Sequence, residues 1–459
     1  MSRLLVGLLA MCSFGAAAQR ADWIIYARYI VTMDPARRII NDGAIAIQGE
    51  RIAGIGPRAE IARNFSAIHT LDKPDALIAP GLIDTHTHAP MSLLRGIADD
   101  RRLQDWLEHY IFPAEARNVS PEFVRWGTRL ACYEMLLAGI TTYTDMYYFE
   151  DVQAETAKEI GIRGVLGQTV IGFTAPDYKT WQAAIAGAEQ FIQHYRGDDL
   201  ITPAVAPHAI YTTPNDALVA SHQLAAKYNV PLLIHVAETR KEREDSLEQR
   251  GLTPVQALAK LGVLDGRVVA AHSIWVDTSD LAILKQHNTG VAHCPSSNMK
   301  LASGIAPVTQ MLKLGINVGL GNDGFAGSND SADLLRELDI AAKLQKVNQS
   351  DPTALPAEQA FGMATIGGAR VLGLEREIGS LEPGKRADFF TLSLGESRAV
   401  PLYEIYSFLA YSAHSGDVED VFINGHQIVT NRRVLTINRD DVFRHALAFH
   451  KQISASLKH

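Results

Sequence analysis

Cysteine is scarce, with three residues in a chain of 459. Once an N-terminal leader is set aside only Cys132 and Cys294 remain, and neither stands in a Cys-x-x-Cys arrangement. This excludes a disulfide framework and a thiolate metal knuckle. Basic excess is missing as well: the formal net charge is −8. A nucleic-acid partner would want a basic stripe, so a small-molecule ligand is the expectation. No low-complexity tract or short repeat interrupts the chain. The apolar stretch from Leu4 to Phe14 is too short to span a bilayer stably.

That stretch reads as a leader. Met1-Ser2-Arg3 supplies a positive start, Leu4 to Phe14 the apolar centre, and Ala16-Ala17-Ala18 a small-residue cleavage site before Gln19. Residues 1–18 are therefore expected to be a signal peptide that exports the chain, to a bacterial periplasm, with no stable membrane insertion once it is removed. Cys12 follows the bulky Met11, which speaks against lipid anchoring.

The remaining composition, 47% hydrophobic and 20% charged with 35 glycines, is that of a globular α/β protein. Residues 22 to 56 alternate β-rich runs with turns at Asn41-Asp42-Gly43 and Gly49-Glu50, and the same texture returns from Arg386 to Leu392 and from Val418 to Thr430. The two flanks, 19–80 and 375–436, are expected to join as a composite β-sandwich, closed by an amphipathic helix within 437–459. Between them, residues 81–374 repeat a strand-then-helix rhythm. Candidate strands are 82 to 88, 141 to 146, 163 to 170, 201 to 208, 231 to 237, 267 to 273, 289 to 294 and 317 to 322, the count for a (β/α)8 TIM barrel. Helices are predicted over Pro121 to Ala138, Pro214 to Tyr228 with Thr213 as cap, and Ser331 to Gln345.

A barrel collects its function at the C-terminal ends of its strands. His86 and His88 end the first, two apart and so on one face. His208 ends the fourth, His235 and Glu238 the fifth, His272 the sixth, and Asn322-Asp323 the eighth. Each alone has an ordinary structural explanation; their coincidence at one rim does not. Neutral imidazoles with one carboxylate favour Zn²⁺, with Fe²⁺ as the alternative. The fourth strand has no Lys, Asp or Glu to bridge a second ion. We therefore expect one metal per subunit on His86, His88, His235 and Asp323, activating a water. Glu238 is the expected proton shuttle, His272 the hydrogen-bond partner of that water, and Asp323 its proton acceptor.

At these residues the sequence resembles the amidohydrolase superfamily, in the branch of 5-methylthioadenosine/S-adenosylhomocysteine deaminases and chlorotriazine hydrolases. The resemblance rests on Pro80 to Met91, Leu94-Arg95-Gly96, Trp106-Leu107, Pro113-Ala114-Glu115, Ala206-Pro207-His208, His235 to Glu238, Ala292 to Pro295, Asn298 to Leu301, Gly304 to Val308 and Gly379 to Asp388. It implies a metal-dependent aminohydrolase that removes the 6-amino group of an adenine nucleoside: 5′-methylthioadenosine, adenosine or S-adenosylhomocysteine. It also implies that Glu115 receives ribose hydroxyls and that His208 and Trp106 line the pocket. The chain departs from the pattern at Gln168, where the branch can carry an arginine for the amino-acid carboxylate, with Lys179 as a substitute from the next loop. It departs again at Asn322, Phe325 and Trp275, which are expected to narrow the pocket. The rival readings are action on another heterocycle (guanine, cytosine or a triazine) and a metal-loaded periplasmic binding protein without turnover. Exposed barrel helices permit a homo-oligomer without requiring one.

Overall fold

The computed structural model describes residues 18–457; the leader predicted for residues 1–18 lies, but for Ala18, outside them. Four strands open the fold: β1 (Gln19–Val31), β2 (Ile39–Gln48), β3 (Arg51–Pro57) and β4 (Phe65–Pro80). The sequence patterning did not disclose β4. The strand runs on through Lys73-Pro74-Asp75. Its pairing with β1 steps from Ala27 opposite Lys73 to Tyr29 opposite Leu77, so Pro74 falls at the irregularity, where no ladder donor is required.

Nine further strands form the barrel: β5 (Leu82–His88), β6 (Ile140–Tyr147), β7 (Arg163–Val170), β8 (Ile201–Pro207), β9 (Leu232–Val236), β10 (Val268–His272), β11 (Gly290–His293), β12 (Val318–Leu320) and β13 (Asp323–Gly324). The last two share the eighth barrel position. β12 pairs with β11 and β13 with β5, so a strand broken at Gly321-Asn322 closes the ring. The expected unbroken strand 317 to 322 is corrected accordingly. Gly321 allows the close approach, since a Cβ there would lie 3.0 Å from the His86 carbonyl oxygen.

The chain then returns to the first sheet with β14 (Phe389–Ser393), β15 (Val418–Ile423), β16 (His426–Thr430) and β17 (Arg433–Val434), in the order β17-β16-β15-β14-β4-β1-β2-β3. This ribbon folds onto itself. Trp23 of β1 meets Phe422 of β15 edge-on at 5.5 Å, although two strands separate them in the ladder. At the far end Ile52 N donates to Lys385 O and Ala387 N to Glu50 O. Ile25, Ile45, Phe389 and Phe422 fill the interior so enclosed.

Two predicted helix starts shift. Thr213 does not cap its helix, which runs Asn215–Tyr228 behind Pro214; the hydroxyl donates to Val170 O instead. The helix expected from Ser331 begins at Leu334, where the Asp333 carboxylate accepts from two backbone amides. The C-terminal helix, Arg439–Ser456, packs on Pro121–Leu137, with Trp126 stacked on His445 at 3.6 Å and Phe123 edge-on to Phe449.

Barrel and sheet are joined by a buried ion pair. Arg163, at the start of β7, lies 2.9 Å from the Asp388 carboxylate and also donates to Asn424 and to Asp199 O. Both partners are buried, so removing one strands the other's charge. Arg163→Met should cost about 3–5 kcal/mol, read as a lowered chemical-denaturation midpoint. Arg163→Met with Asp388→Leu should recover most of it; a single variant as stable as wild type would contradict this role.

Candidate metal centre and substrate cavity

The strand ends bring their polar side chains together through local distortions that a regular strand would not permit. Ala237, His272, Ser273 and Asp323 all take left-handed backbone angles, with φ of 49°, 68°, 45° and 67°. Such conformations are uncommon for non-glycine residues and gather where the fold over-determines them. The turn at Ala237 lets Glu238 face the same cavity as His235, three residues before it.

His86, His88 and Asp323 form one tight donor group, and His86, His235 and His272 another, sharing His86. The Nε2 atoms of His86 and His88 each lie 3.4 Å from Asp323 Oδ1. The rings are held from behind. His88 Nδ1 is 2.8 Å from Met146 O and His235 Nδ1 is 2.8 Å from His208 O. A carbonyl accepts only, so each Nδ1 carries the proton and each Nε2 presents a lone pair. Burial holds His86 down at about 4 and His235 well below its ordinary value, so both are neutral. Burial also acts against protonated His88, but the Asp323 carboxylate outweighs it and lifts the group to about 9. A cation in this position would displace that proton.

These residues fit a divalent metal. His86 Nε2 is buried without a hydrogen-bond partner, which is costly unless an ion takes the lone pair. Three imidazoles and a carboxylate are a donor set suited to zinc. Burial disfavours the Asp323 carboxylate, yet the His86 and His88 imidazoles, each 3.4 Å from it, keep its pKa well below the ordinary range. Ser297 Oγ donates to its Oδ2 at 2.6 Å. His272 is different. Burial opposes its protonation, but the charges of Glu238 and Asp323, each 3.8 Å from Nε2, raise it. Its Nδ1 is 2.9 Å from Asn298 Oδ1, so Nε2 is free to face the reacting groups.

The histidines open into a cleft whose empty space, counted out into open solvent, is about 600 Å³. His88, His208, His235, Glu238, His272, Asp323, Glu115 and Trp106 all line it. Burial raises the pKa of Glu238, and pushes Glu115 up to about 7. Glu115 is not the helix-surface acid that its local sequence suggests: it is buried, with Tyr147 Oη donating to one carboxylate oxygen at 2.7 Å and Tyr148 Oη 3.5 Å from the other. His208 Nδ1 lies 2.7 Å from Thr212 Oγ1.

Gln168, Trp275 and Phe325 do not line the cavity, contrary to expectation. Gln168 donates to Asp177 at 2.7 Å, Trp275 to Ser303 O at 2.7 Å, and Phe325 is wholly buried beneath the Arg95 guanidinium. Each finds its partner outside the cavity, which composition could not reveal. Other residues went unread. Asp84 accepts from the backbone amides of His86 and Asn322 and from the Asn322 side chain at 2.6 Å, locking β5 to the broken strand. Glu242, within what reads as a solvated charge run, is buried and accepts from Ala237 N and Glu238 N. Thr239-x-x-Glu242 before a helix was the available signal for it.

The Amidohydrolase family model matches residues 77–428. The 5-methylthioadenosine/S-adenosylhomocysteine deaminase of Thermodesulfovibrio yellowstonii is 45% identical over 436 residues, 95% of this chain and 99% of that protein. A protein of Syntrophus aciditrophicus, 5-methylthioadenosine/S-adenosylhomocysteine deaminase 1, is 42% identical over 96% of this chain and 99% of its own length. Among solved structures, an adenosine deaminase from Xanthomonas campestris with bound zinc superposes with a TM-score of 0.94 at 36% identity, covering 95% of this chain and all of that one. Atrazine chlorohydrolase TrzN from Arthrobacter aurescens TC1, complexed with zinc, does so with a TM-score of 0.85 at 26% identity, covering 93% and 100%.

Elemental analysis of the purified protein should find one divalent ion per chain, retained in Glu238→Gln and lost in His235→Ala. Two ions per chain would overturn the single-metal reading.

Proposed function

This chain belongs to the amidohydrolase family, and we propose that it is a zinc-dependent hydrolytic deaminase that replaces the 6-amino group of an adenine nucleoside with oxygen. One observation carries the proposal: a single cavity holds the histidine–aspartate cluster, a buried Glu238 whose pKa is raised, and Glu115 presented by Tyr147. The amine-exchanging groups and a receptor for adjacent hydroxyls thus share one space. The names of the deaminase relatives support the same reading.

His86, His88, His235 and Asp323 would hold the ion. A bound zinc supplies a water whose pKa is lowered from about 15.7 towards about 7, a nucleophile at neutral pH. Everything else falls to the chain's own groups. Asp323, kept ionised by its histidine neighbours, takes the proton that the attacking water gives up. Glu238 favours its protonated form because burial penalises the carboxylate, so it delivers a proton to the ring nitrogen beside the carbon under attack. The departing amine takes the proton that Asp323 accepted and leaves as ammonia, while the hydroxyl on the carbon returns its proton to Glu238 as the carbonyl forms. His272 Nε2, between Glu238 and Asp323, donates to the oxygen added at that carbon. Ala237 N and Glu238 N, both bonded to Glu242, keep the Glu238 backbone in place. Glu115 accepts the ribose hydroxyls while the tyrosines fix its plane.

Export remains part of the proposal: the positive start, the Leu4 to Phe14 core and the Ala16-Ala17-Ala18 site support it. No helix of the described residues is long and apolar enough to cross a membrane. N-terminal sequencing of protein recovered from the periplasm should begin at Gln19; retention of Met1 would overturn export.

Zinc-loaded enzyme should release ammonia from adenosine and 5′-methylthioadenosine, and Glu238→Gln should lower kcat by about 100- to 10,000-fold with the metal retained. No ammonia from any adenine nucleoside at full zinc occupancy would sink the proposal. Glu115→Ala should raise KM for nucleosides and spare a free-base heterocycle; the reverse pattern would favour the heterocycle reading. Because Glu115 is pushed up to about 7, it accepts both hydroxyls above that pH and is protonated below it. KM for nucleosides should therefore climb as pH falls through 7 and stay level above, a dependence that Glu115→Gln removes.

A further inference from the structure

We propose that Gln153, a residue outside the cavity lining, is a positioning residue for the reaction: its one side-chain amide holds the metal-binding strand end and the ribose-receiving carboxylate in a fixed relation. This deepens the reading above and rests on it. Gln153 and the two carboxyls it touches, Asp145 and Glu150, are wholly buried, and none of the three lines the cavity.

The arrangement begins where β6 ends. A left-handed turn at Phe149, φ 54°, leads from Tyr147 into the helix Glu150–Ile160. The turn folds Glu150 back, and its Oε1 accepts from Tyr147 N at 2.8 Å. Gln153, almost one turn further along the helix, uses both hydrogens of its Nε2. One goes to Glu150 Oε2 at 2.7 Å and the other to Asp145 Oδ1 at 3.1 Å. The amide oxygen accepts from Thr128 Oγ1 at 3.3 Å. Turned the other way, the amide would set its oxygen against two carboxyls, so its partners fix its orientation.

Each carboxyl has a second task. Asp145 Oδ2 accepts from Thr87 Oγ1 at 2.6 Å and from Ala89 N at 2.5 Å, the residues on either side of His88. Glu150 fixes the backbone of Tyr147, whose hydroxyl donates to Glu115. From Gln153 one arm therefore runs through Asp145 to the backbone around a metal-ligand candidate. The other runs through Glu150 and Tyr147 to the group proposed for the ribose hydroxyls. Without the amide hydrogens two buried carboxyls face each other with no donor between them, and both arms lose their anchor. A residue that served stability alone would lower the denaturation midpoint and leave both binding constants where they were.

Zinc affinity by chelator competition, and kcat and KM for adenosine at full zinc occupancy, should be measured on the full mature chain as wild type, as Gln153→Leu and as the exchange variant Glu150→Gln with Gln153→Glu. In Gln153→Leu zinc affinity should fall by about 10- to 100-fold and KM should rise by about 10-fold. kcat should change little, because Glu238, His272 and Asp323 make none of these bonds. In the exchange variant the amide at 150 accepts from Tyr147 N and donates to the carboxylate at 153, so the Tyr147 arm is rebuilt and KM should return close to wild type. Asp145 then faces a carboxylate, and zinc affinity should stay low. If Gln153→Leu fails to fold, this separation of the two constants in the exchange variant decides alone. Wild-type zinc affinity and KM in folded Gln153→Leu, or an exchange variant whose two constants are both restored or both impaired, would overturn the inference and leave the deaminase reading intact. Zinc-loaded wild type that releases no ammonia from adenosine overturns that reading instead.

Discussion

The clamp that Asp84 makes between the first barrel strand and the broken eighth is the constraint on which the rest depends. One carboxylate accepts from His86 N, Asn322 N and the Asn322 side chain. It thereby sets two metal-ligand candidates, His86 and Asp323, relative to each other, although they are far apart in sequence. It also closes the ring, because β13 can reach β5 only if the strand breaks after Leu320. Burial raises the Asp84 pKa well above its ordinary value, the cost of placing a carboxyl where nothing but amides can satisfy it.

Around that clamp, hydrogen bonds from behind fix side chains whose front faces are left to the reaction. The carbonyls of Met146 and His208 fix two rings, Asn298 a third, and Ser297 the Asp323 carboxylate. Such partners determine tautomer and direction, and so decide whether a histidine is a ligand or a donor. His272 illustrates this. It lies near His86 and His235, but its Nδ1 is 2.9 Å from Asn298 Oδ1 and its Nε2 is 3.8 Å from both Glu238 and Asp323, a placement that suits a donor to the reacting groups. The left-handed residues at the strand ends are the backbone counterpart of the same positioning.

The wall of the cavity depends on a distant part of the chain. Leu103, Trp106, Leu107 and Ile111 share an apolar cluster with Phe123 and with Ile453 of the C-terminal helix. Arg117 and Asn118, at the end of the short helix carrying Glu115, donate to Ser456. The last helix, leaving the composite sheet, therefore braces the segment that would receive the nucleoside. Arg163 and Asp388 join the same two parts of the fold below.

Periodicity and residue type made the barrel legible, along with the two flanks as one unit and the residues at the rim. Strands alternate by geometry, and metal chemistry restricts the donors to few residue types. Thus His86, His88, His235, Glu238, His272 and Asp323 could be found at strand ends without coordinates. What only the tertiary structure decided is who faces whom. It assigned Tyr147 and Tyr148 to Glu115, Glu242 to the amides before it, and Gln168, Trp275 and Phe325 to partners outside the cavity. It also broke the eighth strand at Gly321-Asn322. The physical reason is common to these cases. A side chain's local pattern states which bonds it can make, but the partner that satisfies it arrives from another element, and only packing determines which one is near enough.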